Sequence, residues 1–260
     1  MNHIRSAAYL CLCLLLVGCA TQRPTVHRFG QIAKIRPDKI ERFKELNAEM
    51  SPEVSEALKE HGIRNCSIYL KDLKENEYYL FRYFEYAGKD LDGDKSKMAK
   101  DPTVEKWKTA VSNECLERIS PDDPSLWVDM EEVFYYDGAA DVRTDESKMQ
   151  RYGQVIGVRP EMVESYKYIH TYAWPEVLAA IKEGNIRNYP IYMAKIGDEY
   201  YIFGYFEYVG DDFDTDMAMV DAKPVTKAWI KFTDDGCQLP IPTRAEGEWW
   251  ASMEQVFLQK

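Results

Sequence analysis

The chain predicts an α+β fold in which two tandem β-α-β-β-α-β units pack against each other as a pseudo-dimer within one polypeptide. Three observations carry this. The sequence is written twice, each copy has the same order of strand and helix signals, and a polar joint separates the copies. "YLFRYFEYAG" at 79–88 answers to "YIFGYFEYVG" at 201–210, with seven of ten positions identical at an offset of 122. "GQIAKIRP" from Gly30, "GIRNCSIY" from Gly62 and "WVDMEEVF" from Trp127 answer, at an offset of 123, to "GQVIGVRP" from Gly153, "NIRNYPIY" from Asn185 and "WASMEQVF" from Trp250. Repetition at a fixed period is the mark of a duplicated structural unit.

Each unit opens with a strand (30–35, 153–158). A long periodic segment follows (38–61, 161–184), interrupted by Pro52 or Pro175. Proline removes a backbone donor and clashes with the preceding turn, so a kink or a break into two helices is expected there. Two strands rich in aromatic and β-branched residues come next (63–70 with 78–86, 186–193 with 200–208). A second helix holds Trp107 or Trp229, and a final strand covers 130–135 or 253–258. This order is the split βαβ arrangement of ferredoxin-like folds. One such unit leaves a sheet face open, and two copies can cover each other as in a dimeric α+β barrel. The expected organisation is 1–18 signal peptide, 19–27 tether, 28–137 first repeat, 138–149 linker and 150–260 second repeat.

The N-terminus stands outside the fold. "MNHIRSAAYLCLCLLLVGCA" has a basic start at Arg5, an apolar run too short to span a bilayer, and small residues before a cysteine. "LVGC" at 16–19 resembles the lipobox of bacterial lipoproteins. That resemblance implies cleavage before Cys19, lipid on its thiol, and a membrane-anchored protein of the cell envelope, with outer-membrane delivery the default because Ala20 follows. Cys66, Cys115 and Cys237 remain, an odd count without CxxC spacing, which argues against zinc. A Cys115–Cys237 disulfide is left open. With 44 Asp and Glu against 33 Lys and Arg, the net charge of −11 argues against a nucleic-acid partner.

The chemistry concentrates in "SYKYIHTYAWPEV" at 165–177. Tyr166, His170 and Trp174 recur at steps of four, so a helix aligns a phenol, an imidazole and an indole on one stripe. In the first copy the same positions are Phe43, Asn47 and Ser51, while Pro-Glu-Val is kept in both. One working site, in the second half, is the expectation.

These residues resemble the L-rhamnose mutarotase family. The resemblance rests on "YKYIHTYAWPEV", "IRNYPIY", "DFDTDMAMV", "TKAWIKFT" and "GEWWASMEQVF". It implies a ferredoxin-like subunit that pairs into a dimer, and an isomerase that interconverts the α and β anomers of L-rhamnose or a related 6-deoxy sugar without a cofactor or metal. It implies His170 as the principal acid–base group, with Tyr166 as its partner in positioning a hydroxyl or relaying a proton. Trp174 and Trp229 become sugar-facing walls, and Asn188, Tyr189, Tyr192 and Trp250 complete the pocket. Tyr189 and Tyr192 are three apart on a strand and should face opposite sides unless a bulge intervenes. Several features depart from the family: Ile230 follows Trp229 where a second Trp is usual, the first half lacks the stripe's Tyr and His and has Cys66 where Tyr189 stands, and the duplication and lipid anchor also stand apart.

A histidine titrating near neutrality can serve as either acid or base. The alternative function is a non-catalytic sugar-binding or interaction lipoprotein of the same fold; small oxygenases also use this architecture. The acidic runs "KDLDGDKSK" and "GDDFDTDMAM" lack the glycine and glutamate spacing of a calcium loop and read as a solvated loop entering the second helix. The expected partners are a monosaccharide and a membrane; whether the protein pairs further as a homo-oligomer is left open.

Overall fold

A computed structural model describes residues 26–138 and 147–260. The first repeat runs β1 (His27–Ile35), α1 (Ile40–Ala48), α2 (Pro52–Glu60), β2 (Ile63–Asp72), β3 (Tyr78–Tyr86), α3 (Leu91–Met98), α4 (Pro102–Cys115), the short β4 (Leu116–Glu117) and β5 (Val128–Asp129), and β6 (Glu131–Tyr136). The second runs β7 (Gln150–Val158), α5 (Val163–Thr171), α6 (Pro175–Glu183), β8 (Ile186–Arg187), β9 (Tyr189–Ile196), β10 (Glu199–Tyr208), α7 (Phe213–Ala222), α8 (Pro224–Cys237), the short β11 (Gln238–Leu239) and β12 (Ala251–Ser252), and β13 (Glu254–Gln259). The signal peptide and tether with Cys19, and the middle of the 138–149 linker, lie outside the described residues.

Proline sets the helix breaks. Pro52 and Pro175 each sit at the first turn of a new helix, where a missing N–H costs nothing. The residue before proline is pushed to extended backbone, and Trp174 has φ −66° and ψ 132°. The long periodic segment is therefore two helices in each repeat.

The two sheets are antiparallel, in the orders β13-β2-β3-β1-β4 and β11-β7-β10-β9-β6. The last strand of each repeat pairs with the other repeat's sheet. β6 lies on β9, with Tyr136 opposite Tyr189, and β13 lies on β2, with Glu254 opposite Leu70. On the far side of β1 from β3 lie the short β4 and β5, and on the far side of β7 from β10 the short β11 and β12, so the repeats exchange their closing strands.

The sheets pack face to face over an aromatic core in which equivalent residues meet across the pseudo-twofold. Tyr83 stacks on Tyr205 with centroids 4.0 Å apart, and Phe81 on Phe203 at 5.5 Å. Gly30 and Gly153 permit this approach, since a Cβ would lie 2.4 Å from the Tyr192 ring or 2.5 Å from the Tyr69 ring. At the centre, the Asn188 amide donates to Glu85 (2.8 Å) and Glu207 (2.9 Å). The Asn65 amide donates to the same two carboxylates at 3.0 and 2.7 Å.

The acidic runs are helical rather than loops. Asp90 and Asp212 cap α3 and α7, and Asp94 and Asp216 accept the hydroxyls of Tyr86 and Tyr208, each at 2.7 Å. These carboxylates fasten each short helix to its sheet. Cys115 and Cys237 end α4 and α8 in their separate repeats, and both are free, buried thiols.

Candidate active site

Helix α5 sets Tyr166 and His170 one turn apart on its buried face. His170 Nδ1 lies 2.9 Å from the Tyr166 backbone oxygen. A carbonyl only accepts, so Nδ1 carries the hydrogen and Nε2 keeps its lone pair. The imidazole stacks on the Tyr166 ring at 4.0 Å and meets the edges of Trp229 (5.5 Å) and Phe134 (5.7 Å). This side chain is buried, at 8% exposure. Desolvation brings its pKa down to about 4, against the opposing pull of the Tyr166 bond. At neutral pH the ring is an uncharged base.

His170 lines a cavity of about 440 Å³ between the helices and the sheet of the second repeat. Helix α8 contributes Thr226, Trp229, Ile230, Thr233 and Asp234, whose spacings of three and four place them on one face. Helices α6 and α7 add apolar side chains, including Leu178 and Met217. The sheet adds Gln154, Tyr189, Ile191 and Phe206, and Gln238, Trp249 and Trp250 close one side. Phe134 comes from the exchanged strand β6, so the first repeat completes this wall. Gln154 Nε2 donates to the Tyr189 hydroxyl (3.3 Å), and Trp249 Nε1 donates to Gln238 Oε1 (2.7 Å).

Of the residues singled out in the sequence, His170, Tyr189, Trp229 and Trp250 meet at this cavity. Tyr166 stands behind His170, fully buried and not in the lining. Its hydroxyl has no well-aligned hydrogen bond, with the Gln238 side chain beside it. Burial drives this phenol's pKa well above the ordinary value, so it stays neutral. Trp174 leaves the stripe because α5 ends at Thr171 and the Pro175 constraint holds Trp174 extended. It abuts Trp229 at 5.4 Å and lines a separate groove between α5 and α8.

The structure takes Asn188 and Tyr192 away from the cavity. Strand alternation turns Tyr189 toward the helices and Tyr192 into the core between the sheets, where its ring covers Gly30. Asn188, with φ 45°, aims its amide at the central carboxylates.

Sequence reasoning passed over Gln154, Gln238, Trp249, Phe134 and Asp234. Within the cavity wall, desolvation raises the Asp234 pKa to about 6, with the nearby acids Asp235 and Asp221 adding to the shift and a Thr233 hydrogen bond (2.9 Å) opposing it.

The model of the L-rhamnose mutarotase family matches residues 28–136 and, a second time, 151–258. The chain belongs to the L-rhamnose mutarotase family. As a member of that family it is a tandem one, each match spanning one repeat. It is 31% identical over 110 residues to the L-rhamnose mutarotase of Listeria monocytogenes, covering 42% of this chain and 98% of that protein. The values are 32% for the Bacillus subtilis protein and 34% for that of Oceanobacillus iheyensis, with the same coverage. Among solved structures, a putative monooxygenase from Fusobacterium nucleatum superposes with a TM-score of 0.52 at 13% identity, over 90% of this chain and 94% of that one. That likeness concerns the fold alone: two curled antiparallel sheets with outer helices.

Proposed function

We propose that the second repeat interconverts the α and β anomers of L-rhamnose or a related 6-deoxy sugar. One observation carries this reading: a neutral imidazole, its tautomer held by the Tyr166 carbonyl, lines an aromatic-walled cavity of about 440 Å³. Membership in the mutarotase family supports it. Opening a hemiacetal requires one group to take the anomeric hydroxyl proton while another protonates the ring oxygen. His170 Nε2 is the base for the first transfer. Tyr166 holds the ring from behind and acts as a positioning residue. Trp229 and Trp250 offer apolar faces to the methyl and C–H groups of a deoxy sugar, and Gln154 and Tyr189 offer hydrogen bonds to its hydroxyls.

Saturation-transfer NMR of L-rhamnose with the chain from Ala20 onward tests this. Exchange between anomers should exceed the buffer rate and return to it in His170→Ala, since general acid–base catalysis contributes about 10²–10⁴-fold. Absence of acceleration for rhamnose, fucose and galactose would sink the reading. Ile230, lining the cavity beside a single Trp229, favours a second reading in which the sugar binds without turnover. His170→Ala then leaves the function intact. The "LVGC" motif supports a lipid anchor at Cys19 in the cell envelope, tested by fatty-acid labelling that Cys19→Ala should abolish.

A further inference from the structure

Tyr166, sealed behind His170 and outside the lining, does not reach the sugar's ring oxygen. We propose that Asp234 is the donor to that oxygen, the second acid–base group of the site; this rests on the mutarotase reading above. Asp234 lines the same cavity as His170, from the face of α8 that also presents Trp229 and Ile230. It lies close enough to Tyr166 for its charge to raise that phenol's pKa, and likewise Tyr189's. Gln154 and Gln238 add polar groups to the same lining.

Its placement is electrostatically unfavourable. Asp234 is in the last turn of α8, where the helix dipole disfavours an anion, and it is followed by Asp235. The charged groups around it are Asp235 and Asp221, both acids, and among the described residues no ion pair reaches it. Its Thr233 bond is to a neutral hydroxyl. The equivalent residue of the first repeat, on α4, is Ser112. A half-buried acid at the unfavourable end of a helix, inside a cavity with a neutral histidine, fits a proton donor better than a scaffold residue.

The step balances. His170 Nε2 takes the proton from O1, the C1–O1 bond becomes a carbonyl, and the C1–O5 bond breaks with its electron pair going to O5. That oxygen takes the proton from the Asp234 carboxyl, leaving an imidazolium and a carboxylate. Rotation about C1–C2 presents the other carbonyl face, and the reverse transfers return both protons. The competent resting state pairs neutral His170 with protonated Asp234. Given their values of about 4 and about 6, kcat/KM should rise through the first and fall through the second.

The test is the pH profile of anomer exchange for the purified protein, Asp234→Asn and Asp234→Ser, the last supplying the residue that the first repeat uses. Turnover should fall about 10²-fold in both variants. The decline near pH 6 should vanish, and sugar affinity, read by tryptophan fluorescence, should change little. Thermal stability above that pH should hold or rise, because a poorly solvated anion is removed. Variants within about twofold of the parent, or a parent profile with no decline near pH 6, overturn the proposal while leaving the mutarotase reading standing. A parent protein that accelerates nothing overturns both.

Discussion

The two repeats share a scaffold down to single hydrogen bonds, and the cavity at His170 lies in the second. In the first, Asn47 Nδ2 donates to the Phe43 carbonyl at 2.7 Å, the same one-turn contact that His170 makes with Tyr166. The difference is Arg82, which stands where the second repeat has Gly204. Arg82 is half-buried; it donates through Nε to Gln31 Oε1 at 3.0 Å and again through Nη2, and its guanidinium lies 4.1 Å from the Trp127 ring centre and 5.5 Å from that of Phe84. Gln31, Trp127 and Phe84 correspond to Gln154, Trp250 and Phe206, three residues that line the second cavity. Arg82 thus lies among the counterparts of the second cavity's lining, and burial lowers its pKa. At Gly204 even a Cβ would come within 3.2 Å of Gln154 and 3.4 Å of Tyr189. In the first repeat, then, Arg82 stands in the place of Gly204 and Asn47 in the place of His170.

Transplanting the arginine is the strongest way to break this contrast. Gly204→Arg should abolish sugar binding and turnover, with the fold kept because the first repeat already accommodates the same group; fluorescence titration with circular dichroism checks both. Next in size is the pH dependence of stability. The folded pKa of His170 lies below its free value of 6.5, so the unfolded chain binds the proton first. Its contribution is complete above about pH 6.5 and is lost as pH falls toward 4, at most about 3 kcal/mol. Asp234 acts with the opposite sign, its contribution being present at low pH and lost as pH rises through about 6. Urea unfolding at several pH values should show a flatter acid decline in His170→Asn, which installs the first repeat's residue. Smallest is Arg82→Gly, which strands the Gln31 carbonyl oxygen and should cost about 1–3 kcal/mol by denaturant midpoint with turnover in the second repeat unchanged.

Much of the fold was legible because it is local. The duplication, the helix break before each Pro-Glu-Val and the opposed faces of Tyr189 and Tyr192 follow from identity, ring geometry and strand alternation. The strand exchange was not legible, since 131–136 and 254–259 carry the same pattern whichever sheet they join, and only long-range pairing decides. For the site, His170, Tyr189, Trp229 and Trp250 were recognisable by residue type. Trp174 was misplaced by extending helical spacing across the proline that ends the helix. Asp234 and the Arg82–Gly204 difference were in plain view, but their meaning depends on burial, which packing creates.

The exchanged strands bear on how the halves could diverge. In a two-chain dimer with one gene, both sites are copies and must change together. Here each half's sheet is finished by a strand of the other, and the covalent connection replaces a bimolecular encounter with a high effective concentration. The first half contributes architecture to the second, since it supplies Phe134 to the cavity at His170. Damage to the last six-residue strand should therefore weaken the first half's sheet before the second's, although the break lies at the far end of the chain.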